Sequence, residues 1–313
     1  MTFISFSIYR LRVLLLFTKV GNLSKKKISF IVNPISGTIK GKRFENEIKD
    51  VFSPENYKLE ILYTSYRGHA SEIAQSLRND NIIIVVVGGD GTVNEVAKEL
   101  LNSDTAILGI IPMGSGNGLA RTLGLPLDLK KALQRIKNGT RILIDTCSFN
   151  GIPFFCTAGI AFDAAVAKDF DNLPSRGLRT YFQASYRQFI KHEKRKVSIR
   201  IDDKLIEEDL FMFTIANAEQ YGYGAKISPN SSLTDGIIEL VLVKDLNLAQ
   251  LAEFTLRLFL GNVHKLKGAR IIKTDQIVSI KTDSKIAHLD GEPISFDGQV
   301  DIKVHKKSLA IIS

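Results

Sequence analysis

The sequence predicts an α/β domain built on a parallel sheet, followed by a separate domain rich in β-strands. The run Ile82–Val87 holds six β-branched apolar residues, which is typical of a parallel strand buried on both faces. This strand opens the first of two successive units of strand, glycine-rich loop and helix. From Asp145 onward β-like runs dominate, with helical interruptions between them, which indicates a change of architecture.

The composition fits two globular domains with a polyanionic partner. The chain has 313 residues, of which 44% are hydrophobic and 24% charged. A net charge of +9 favours nucleotide phosphates or an anionic membrane. Zinc-finger spacing, RNA-binding motifs and long arginine-rich tails are absent from the sequence, so we do not expect nucleic acid as a partner. The two cysteines, Cys147 and Cys156, are too few for a disulfide framework and indicate a reducing compartment.

Residues 1–24 precede the first predicted strand and are hard to place in such a fold. Their uninterrupted apolar run, Val13–Phe17, is too short for a transmembrane helix, and no cleavage pattern follows it. Arg10, Arg12 and Lys19 would also suit a helix lying on a membrane surface. We expect a leader that is poorly ordered or touches a membrane.

The first strand is predicted over Ile28–Val32, and a loop that could face phosphates follows it. Gly37 and Gly41 in this loop are too close together for a Walker A motif. The loop could still direct amide groups and Lys40 or Lys42 toward phosphates. The next predicted elements are a helix over Phe44–Phe52, a strand near Lys58–Thr64 and a helix over Ala70–Arg78.

The turn after Ile82–Val87 carries the strongest sign of phosphate chemistry. Its three glycines let the backbone turn sharply and approach a ligand closely. They are Gly88, Gly89 and Gly91. A helix that begins near Thr92 offers unpaired amides and the positive end of its dipole. Asp90 would repel phosphate unless a divalent cation lies between them or it accepts a proton from the substrate, although a simple capping role fits this turn equally well.

A second strand, Ala106–Ile111, leads into the loop Pro112–Gly118 and a helix that opens at Leu119. The glycines of this loop lack the spacing of a dinucleotide fingerprint. Two glycine-rich loops at the carboxyl ends of successive parallel strands would nevertheless line the same crevice. The pair predicts one phosphate site formed by both loops.

The second half predicts mainly strands. These are Ile152–Cys156, Val197–Ile201, Phe211–Ala216, Ile237–Val243, Ile277–Lys281 and Val300–His305. Helices are predicted over Ala161–Phe170, Leu178–Lys191 and Leu248–Leu260. Short strands of this kind after an alternating βα half indicate a separate β-rich domain.

Several motifs stand in order along the chain. The first half contains Asn33-Pro34, Gly88-Gly89-Asp90-Gly91-Thr92-Val93-Asn94-Glu95-Val96 and Pro112-x-Gly-Ser-Gly-Asn-x-x-Ala-Arg. The second half contains Asn217-Ala218, Leu233-Thr234-Asp235-Gly236 and His288-Leu289-Asp290-Gly291-Glu292. Together they resemble the diacylglycerol kinase catalytic-domain family, which includes soluble bacterial lipid kinases and sphingosine kinases. The resemblance covers about residues 27–313.

The resemblance implies a Rossmann-like α/β nucleotide-binding domain and a C-terminal β-sandwich domain, with a cleft between them for a lipid acceptor. The expected boundaries are a leader over 1–24, an ATP-binding domain over 25–145 plus 300–313, and an acceptor domain over 146–299. The implied reaction transfers the γ-phosphoryl group of ATP, with Mg²⁺, to the hydroxyl of diacylglycerol or a sphingoid-type lipid. We expect a cytoplasmic protein that docks transiently on anionic membrane, and a homodimer is compatible with the resemblance.

The resemblance also implies the roles of individual residues. The nucleotide would be held by Asn33, Thr64, Gly88, Gly89, Gly91, Thr92, Glu95, Gly114, Ser115 and Asn117. Asp290 is expected to be the general base, with Glu292 beside it, and Asp90 would act at the nucleotide through Mg²⁺. Asp90 is itself the alternative base. Without the upstream motifs, Asp290-Gly291 would indicate only a tight turn.

Further positions concern a metal and the identity of the lipid. The resemblance implies a structural metal at Asp235, with main-chain oxygens of Ser232 and Ile237 as partners, a donor set that suits Mg²⁺ or Ca²⁺. Two departures leave the acceptor open. Gly118 stands where many bacterial lipid kinases have Asp, and Cys156 stands where the family often has Asn.

Two other functions are compatible with the motifs. An NAD kinase shares the Gly-Gly-Asp-Gly-Thr turn, although the second loop and the Asp-Gly-Glu segment fit lipid kinases better. A non-catalytic regulator that binds nucleotide or lipid could use the same scaffold. The presence of Asp90, Asn117 and Asp290 argues against a non-catalytic regulator.

Overall fold

The computed structural model describes residues 25–37, 41–171, 187–188 and 194–313. The expected leader over 1–24, Lys40 and the side chain of Lys42 lie outside the described residues, as does the predicted helix Leu178–Lys191 apart from residues 187–188. In the part of the chain that is described, no helix has both the length and the apolar character needed to cross a bilayer.

The first half alternates strands and helices as predicted. Its strands are β1 (Lys26–Val32), β2 (Tyr57–Tyr63), β3 (Ile82–Gly88) and β4 (Ala106–Pro112). Its helices are α1 (Gly41–Val51), α2 (His69–Leu77), α3 (Asp90–Glu99), α4 (Gly118–Thr122) and α5 (Leu129–Asn138). Helix α5 was not predicted, although Asp128 caps it by accepting a hydrogen bond from the Lys131 amide.

The four strands of the first half are parallel, in the order β2-β1-β3-β4. Strand β3 is central and pairs with both β1 and β4. Val85, Val86 and Val87 are fully buried, which confirms the interpretation of the β-branched run. The parallel order brings the carboxyl ends of β1, β3 and β4, and the loops that follow them, to one edge of the sheet.

The second half is built mainly from strands. They are β5 (Arg141–Phe149), β6 (Ile152–Phe154), β7 (Thr157–Ala161), β8 (Arg195–Ile201), β9 (Lys204–Leu210), β10 (Met212–Ala216), β11 (Ile238–Val243), β12 (Ala269–Thr274), β13 (Val278–Thr282), β14 (Ile286–Leu289), β15 (Glu292–Ser295) and β16 (Gln299–Ile312). The helices described at full length in this half are α6 (Phe162–Asp171) and α7 (Leu248–Leu260), and a 3₁₀ turn covers Val263–Lys265.

These strands form two sheets. A six-stranded sheet has the order β12-β11-β10-β7-β14-β15. The others extend the first sheet to ten strands, in the order β2-β1-β3-β4-β16-β13-β8-β9, with β5 and β6 attached through β16. Buried apolar residues from both sheets pack into one core, among them Phe149, Phe213 and Ile280. An α/β first half and a sandwich second half confirm the predicted fold class.

Strand β16 joins the two halves. It pairs antiparallel with β13 and β5, and its end pairs parallel with β4 through Ile311 and Leu108. The predicted strand ended at His305, but the observed strand continues to Ile312 past a register shift between His305 and Leu309. Lys307 at this irregularity has a φ of 53°, which breaks the alternation that would reveal a single long strand.

Candidate active site

A cleft with a volume of about 660 Å³ is lined by residues from both halves of the chain. Loops after β1, β2, β3 and β4, together with helix α3, contribute polar and glycine positions. These include Asn33, Thr64, Gly89, Gly91, Thr92, Glu95, Gly114 and Ser115. Helix α6, strand β10 and helix α7 contribute apolar side chains. These include Phe162, Met212, Leu251, Phe254 and Leu258. One cavity therefore offers both a phosphate-type surface and an apolar surface.

The two glycine-rich loops lie in direct contact. A Cβ on Gly114 would lie 2.6 Å from the Cα of Gly89, and a Cβ on Gly88 would lie 2.8 Å from the Thr92 Cβ. The Met113 amide also donates to the Gly88 carbonyl at 2.8 Å. Glycine is required at position 114 because the two loop backbones meet there, and at position 88 because the Thr92 side chain fills the space.

Asp90 is the first residue of α3 and connects this helix to the second loop. Its Oδ2 accepts a hydrogen bond from the Asn117 amide at 2.8 Å, and its Oδ1 accepts one from the Gly118 amide at 2.7 Å. The N-cap of α3 is Gly89, so the capping interpretation of Asp90 is wrong. Burial raises the pKa of Asp90, and the two amide donors partly offset this.

The second loop is closed by its own side chains and covered by the second half. Asn117, with a φ of 54°, accepts from the Gly114 amide at 3.0 Å and donates to the Gly114 carbonyl at 2.7 Å. The Tyr223 hydroxyl donates to Ser115 Oγ at 2.6 Å. Gly118 is also confined, because a Cβ there would lie 3.1 Å from the Tyr221 carbonyl oxygen.

Some of the other residues predicted to bind nucleotide line the cleft, and others do not. Asn33 Nδ2 donates to Thr92 Oγ1 at 3.0 Å, which joins the first loop to α3. Glu95 Oε1 accepts from the Gly68 amide at 2.9 Å and holds the turn before α2. Gly88 and Asn117 do not line the cleft. Both instead contribute to the conformation of the loops that line it.

Asp290 lies in the turn after β14, with a φ of 51°, and its carboxylate is held by other elements. Its oxygens accept four hydrogen bonds, from the amides of Phe155 (2.8 Å), Cys156 (2.7 Å) and Thr157 (3.0 Å) and from Asn94 Nδ2 (3.2 Å). Burial raises the pKa of Asp290, and the three backbone donors partly offset it. The bond from Asn94 is the longest of the four and the only one from a side chain.

Glu292 lies at the rim of the cleft. Its Oε2 is 3.3 Å from Arg67 Nη2, and this ion pair joins β15 to the segment before α2. Cys156, in contrast, is buried in the core of the first half and does not line the cleft. Its side chain therefore does not contact the acceptor space, although its amide supports Asp290.

A buried polar cluster next to Asp290 was missed from the sequence. Thr214 Oγ1 donates to Asp163 Oδ2 at 2.7 Å, and His288 Nε2 lies 3.5 Å from the same oxygen. The Gly291 amide donates to His288 Nδ1 at 3.3 Å, so the cluster reaches the turn that carries Asp290. Its members are far apart in sequence, and no spacing signal links them.

The predicted metal position lies away from the cleft. Asp235 is exposed, and its Oδ1 accepts a hydrogen bond from the Ile237 amide at 3.0 Å, while Ser232 contacts Thr234. No group of three or more His, Cys, Asp or Glu side chains is assembled among the residues that the structure describes.

Known proteins resemble the chain along nearly all of its length. The family model of the diacylglycerol kinase catalytic domain matches residues 27–149. A second model, described as the YegS C-terminal NAD kinase beta sandwich-like domain, matches residues 156–313. A diacylglycerol kinase of Bacillus subtilis is 29% identical over 276 residues, which cover 85% of this chain and 90% of that protein. A Shigella boydii protein named probable lipid kinase YegS is 26% identical over 249 residues, which cover 77% and 82%.

Solved structures show the same fold. A crystal structure described as a diacylglycerol kinase from Bacillus anthracis has a TM-score of 0.70 at 21% identity and covers 92% of this chain and 97% of its own. A second structure from that organism has a TM-score of 0.77 at 24% identity and covers 93% and 97%.

The loops, the β-sandwich and these matches define the class of the protein as a lipid kinase, a phosphotransferase. The interpretation as an enzyme is thereby confirmed, in place of a non-catalytic regulator. The chain belongs to the diacylglycerol kinase catalytic-domain family. The likeness to NAD kinase is confined to the description of the C-terminal sandwich.

Proposed function

We propose that the protein transfers the γ-phosphoryl group of ATP to the hydroxyl of a lipid, with diacylglycerol or a sphingoid base as the acceptor class. The observation that carries this proposal is that one cleft has both phosphate-type loops and an apolar wall. An acceptor with a polar head and an acyl tail would contact both surfaces. A soluble dinucleotide such as NAD would leave the apolar wall exposed to water.

The nucleotide would bind at the loops. The first amides of a helix have no partners within that helix, so Gly91 and Thr92 at the start of α3 suit a phosphate. When bound, Mg²⁺ would neutralise phosphate charge during transfer. Asp90 would face this ion, and the lone pair that its two amide contacts leave on each carboxylate oxygen supports that role.

Asp290 would act as the general base. The acceptor oxygen would bond to the γ-phosphorus as the bond from that phosphorus to the leaving ADP oxygen breaks, and the hydroxyl proton would pass to the Asp290 carboxylate. Four hydrogen bonds fill the lone pairs of this carboxylate, so the hydroxyl must displace a donor. Asn94 is the donor that can move, because the other three are backbone amides.

Further assignments follow from the same function. Asp235, with carbonyl oxygens of Ser232 and Ile237, would hold a structural cation. The domains would be 25–145 plus 300–313 for ATP and 146–299 for the acceptor, and the pairing of β16 with β4 supports the return of the chain end. The basic chain would dock transiently on anionic membrane.

Transfer of labelled γ-phosphate from ATP to a panel of acceptors tests the proposal. The panel contains diacylglycerol, monoacylglycerol, sphingosine, ceramide, undecaprenol and NAD, with Mg²⁺ and mixed micelles. A labelled lipid is expected and would name the acceptor. Label on NAD alone would replace the proposal with a nucleotide kinase, and ATP binding without any labelled product would contradict the catalytic roles.

A further inference from the structure

Helix α7 has apolar residues on two different faces. Phe254 and Leu258 are buried in the core, as expected for a helix that packs on a sheet. A second set of apolar side chains points to solvent. These are Leu248, Ala249, Ala252, Leu256, Phe259 and Leu260. At about 100° per residue this set falls within one sector of about 120°, and it includes no polar side chain.

The exposure of this sector is large. Leu248 is 61% exposed, Leu256 is 59% and Leu260 is 62%. Gln250, Glu253 and Arg257 form a separate polar strip, in which Arg257 Nε donates to Glu253 Oε1 at 2.6 Å. A contiguous exposed apolar surface of this kind marks a contact with a partner or a membrane.

The exposed sector is continuous with the cleft. The same helix lines the cleft through Leu251, Thr255 and Phe259. Phe259 belongs to both surfaces, because it lines the cleft and is 38% exposed. A lipid that passes from a bilayer to the apolar wall would therefore cross this sector.

Positive charge follows the helix directly. Lys265 and Lys267 are exposed in the segment after Leu260. Lys265 and Lys267 make no ion pair within the described part of the chain. An apolar helix face with lysines beside it is the pattern of a helix that lies in the interface of an anionic membrane.

We propose that the exposed sector of α7, from Leu248 to Leu260, inserts into the surface of an anionic bilayer and so opens the cleft to its lipid substrate. The partner is the bilayer, because the sector adjoins a lipid-binding cavity and is flanked by cationic side chains. The proposal rests on the proposed lipid acceptor for its purpose, but the surface is testable without turnover.

The chain contains no tryptophan, so a single introduced tryptophan reports its own surroundings. We expect Leu256→Trp to shift its emission to the blue and to be quenched by brominated lipid in phosphatidylglycerol vesicles. Leu205→Trp is the matched control, since Leu205 is 51% exposed on β9 and outside the sector. Equal quenching of both variants, or of neither, would overturn the proposal.

A second experiment separates membrane contact from chemistry. Leu256 and Leu260 do not line the cleft, so Leu256→Ser/Leu260→Ser should lower vesicle affinity about tenfold or more in co-sedimentation. Its kcat/KM on a monomeric short-chain acceptor should stay unchanged, while its KM on vesicle-borne lipid rises. Leu205→Ser should leave all three values unchanged.

The possible outcomes distinguish membrane binding by the exposed sector of α7 from the proposed phosphorylation of a lipid. Vesicle binding equal to wild type in the double variant would overturn the proposal. A change from dimer to monomer with unchanged vesicle binding would instead assign the sector to a second copy of this chain. If no lipid is phosphorylated but the double variant still loses vesicle binding, the membrane surface holds and the proposed reaction fails.

Discussion

Asp90 and Asp290 differ in how fully their carboxylates are occupied. Asp290 accepts four hydrogen bonds, and Asp90 accepts two amide bonds from the second loop. Both carboxylates accept hydrogen bonds from backbone amides of other elements. The tertiary fold therefore fixes the orientation of both side chains. The more open Asp90 suits a cation, and Asp290 suits a proton acceptor that a substrate reaches by displacing Asn94.

Replacing Asp290 by asparagine should separate chemistry from nucleotide binding. We expect Asp290→Asn to lower kcat roughly 10²–10⁴-fold, the usual contribution of a general base, while the affinity for ATP is unchanged. Steady-state kinetics and titration with a fluorescent ATP analogue measure the two effects. Asp203→Asn is the control, because Asp203 is exposed and does not line the cleft, and a wild-type kcat in Asp290→Asn would exclude Asp290 as the base.

Asp290 should also affect the pH dependence of stability. Burial raises its pKa in the folded protein above the ordinary value of 3.8, so the folded state binds more protons than the unfolded chain just above pH 3.8. The contribution of Asp290 to the free energy of unfolding therefore falls as pH rises from about 3.8 through the raised pKa. Urea unfolding across this range should show a smaller decline in Asp290→Asn than in wild type. Parallel profiles would contradict the raised pKa.

At the scale of elements, the contact between the loops after β3 and β4 limits what the site tolerates. Gly114→Ala would place a Cβ 2.6 Å from the Gly89 Cα, so we expect a loss of stability of about 1–3 kcal/mol and a higher KM for ATP. Gly91→Ala is the matched control for folding, because its Cβ would lie 3.5 Å from Glu292 Oε1, an ordinary contact. Equal unfolding free energies for Gly114→Ala and wild type would show that the loops can separate.

The sequence predicted elements whose signals are local. The run Ile82–Val87 and the glycines after it identified β3, α3 and the loop between them, because burial and turn chemistry act on neighbouring residues. Strand β7 was missed because Thr157–Ala161 contains mostly small residues. The cluster of Asp163, Thr214 and His288 was missed because it depends on pairings between distant strands.

The same limit applies to Gly159, whose role is visible only in the assembled sheet. A Cβ at this position would lie 2.1 Å from Asp163 Oδ2 and 2.3 Å from His288 Nε2. Glycine is therefore needed for the buried cluster to form beside the Asp290 turn. A glycine inside a strand indicates close approach of another group, but here the strand itself was not predicted and the sequence alone does not identify the group.

At the scale of the whole molecule, β16 positions the two surfaces of the cleft. It lies between β4 and β13 in the ten-stranded sheet, so the sheet that carries the glycine-rich loops also forms one layer of the sandwich. Asp145 supports this junction by accepting hydrogen bonds from the Gly236 amide at 2.6 Å and the Lys307 amide at 2.7 Å. The polar loops of the cleft follow strands of this ten-stranded sheet, whereas the apolar wall lies on β10 of the six-stranded sheet and on helices α6 and α7. Strand β16 and the core shared by the two sheets therefore hold the two surfaces in place relative to each other.

A cleft with one polar and one apolar surface should select acceptors by the length of their tails. For monomeric acceptors, kcat/KM should rise about fourfold per added CH₂ group, because each buried CH₂ contributes about 0.8 kcal/mol, until the apolar wall is covered. Phe254→Ala should reduce this dependence, because Phe254 forms part of the wall, whereas Leu205→Ser on the outer strand β9 should not. Initial rates for a homologous series below their critical micelle concentrations measure the slope. Rates independent of chain length would show that the acceptor tail remains in water, and the apolar surface would then have to be assigned to packing alone.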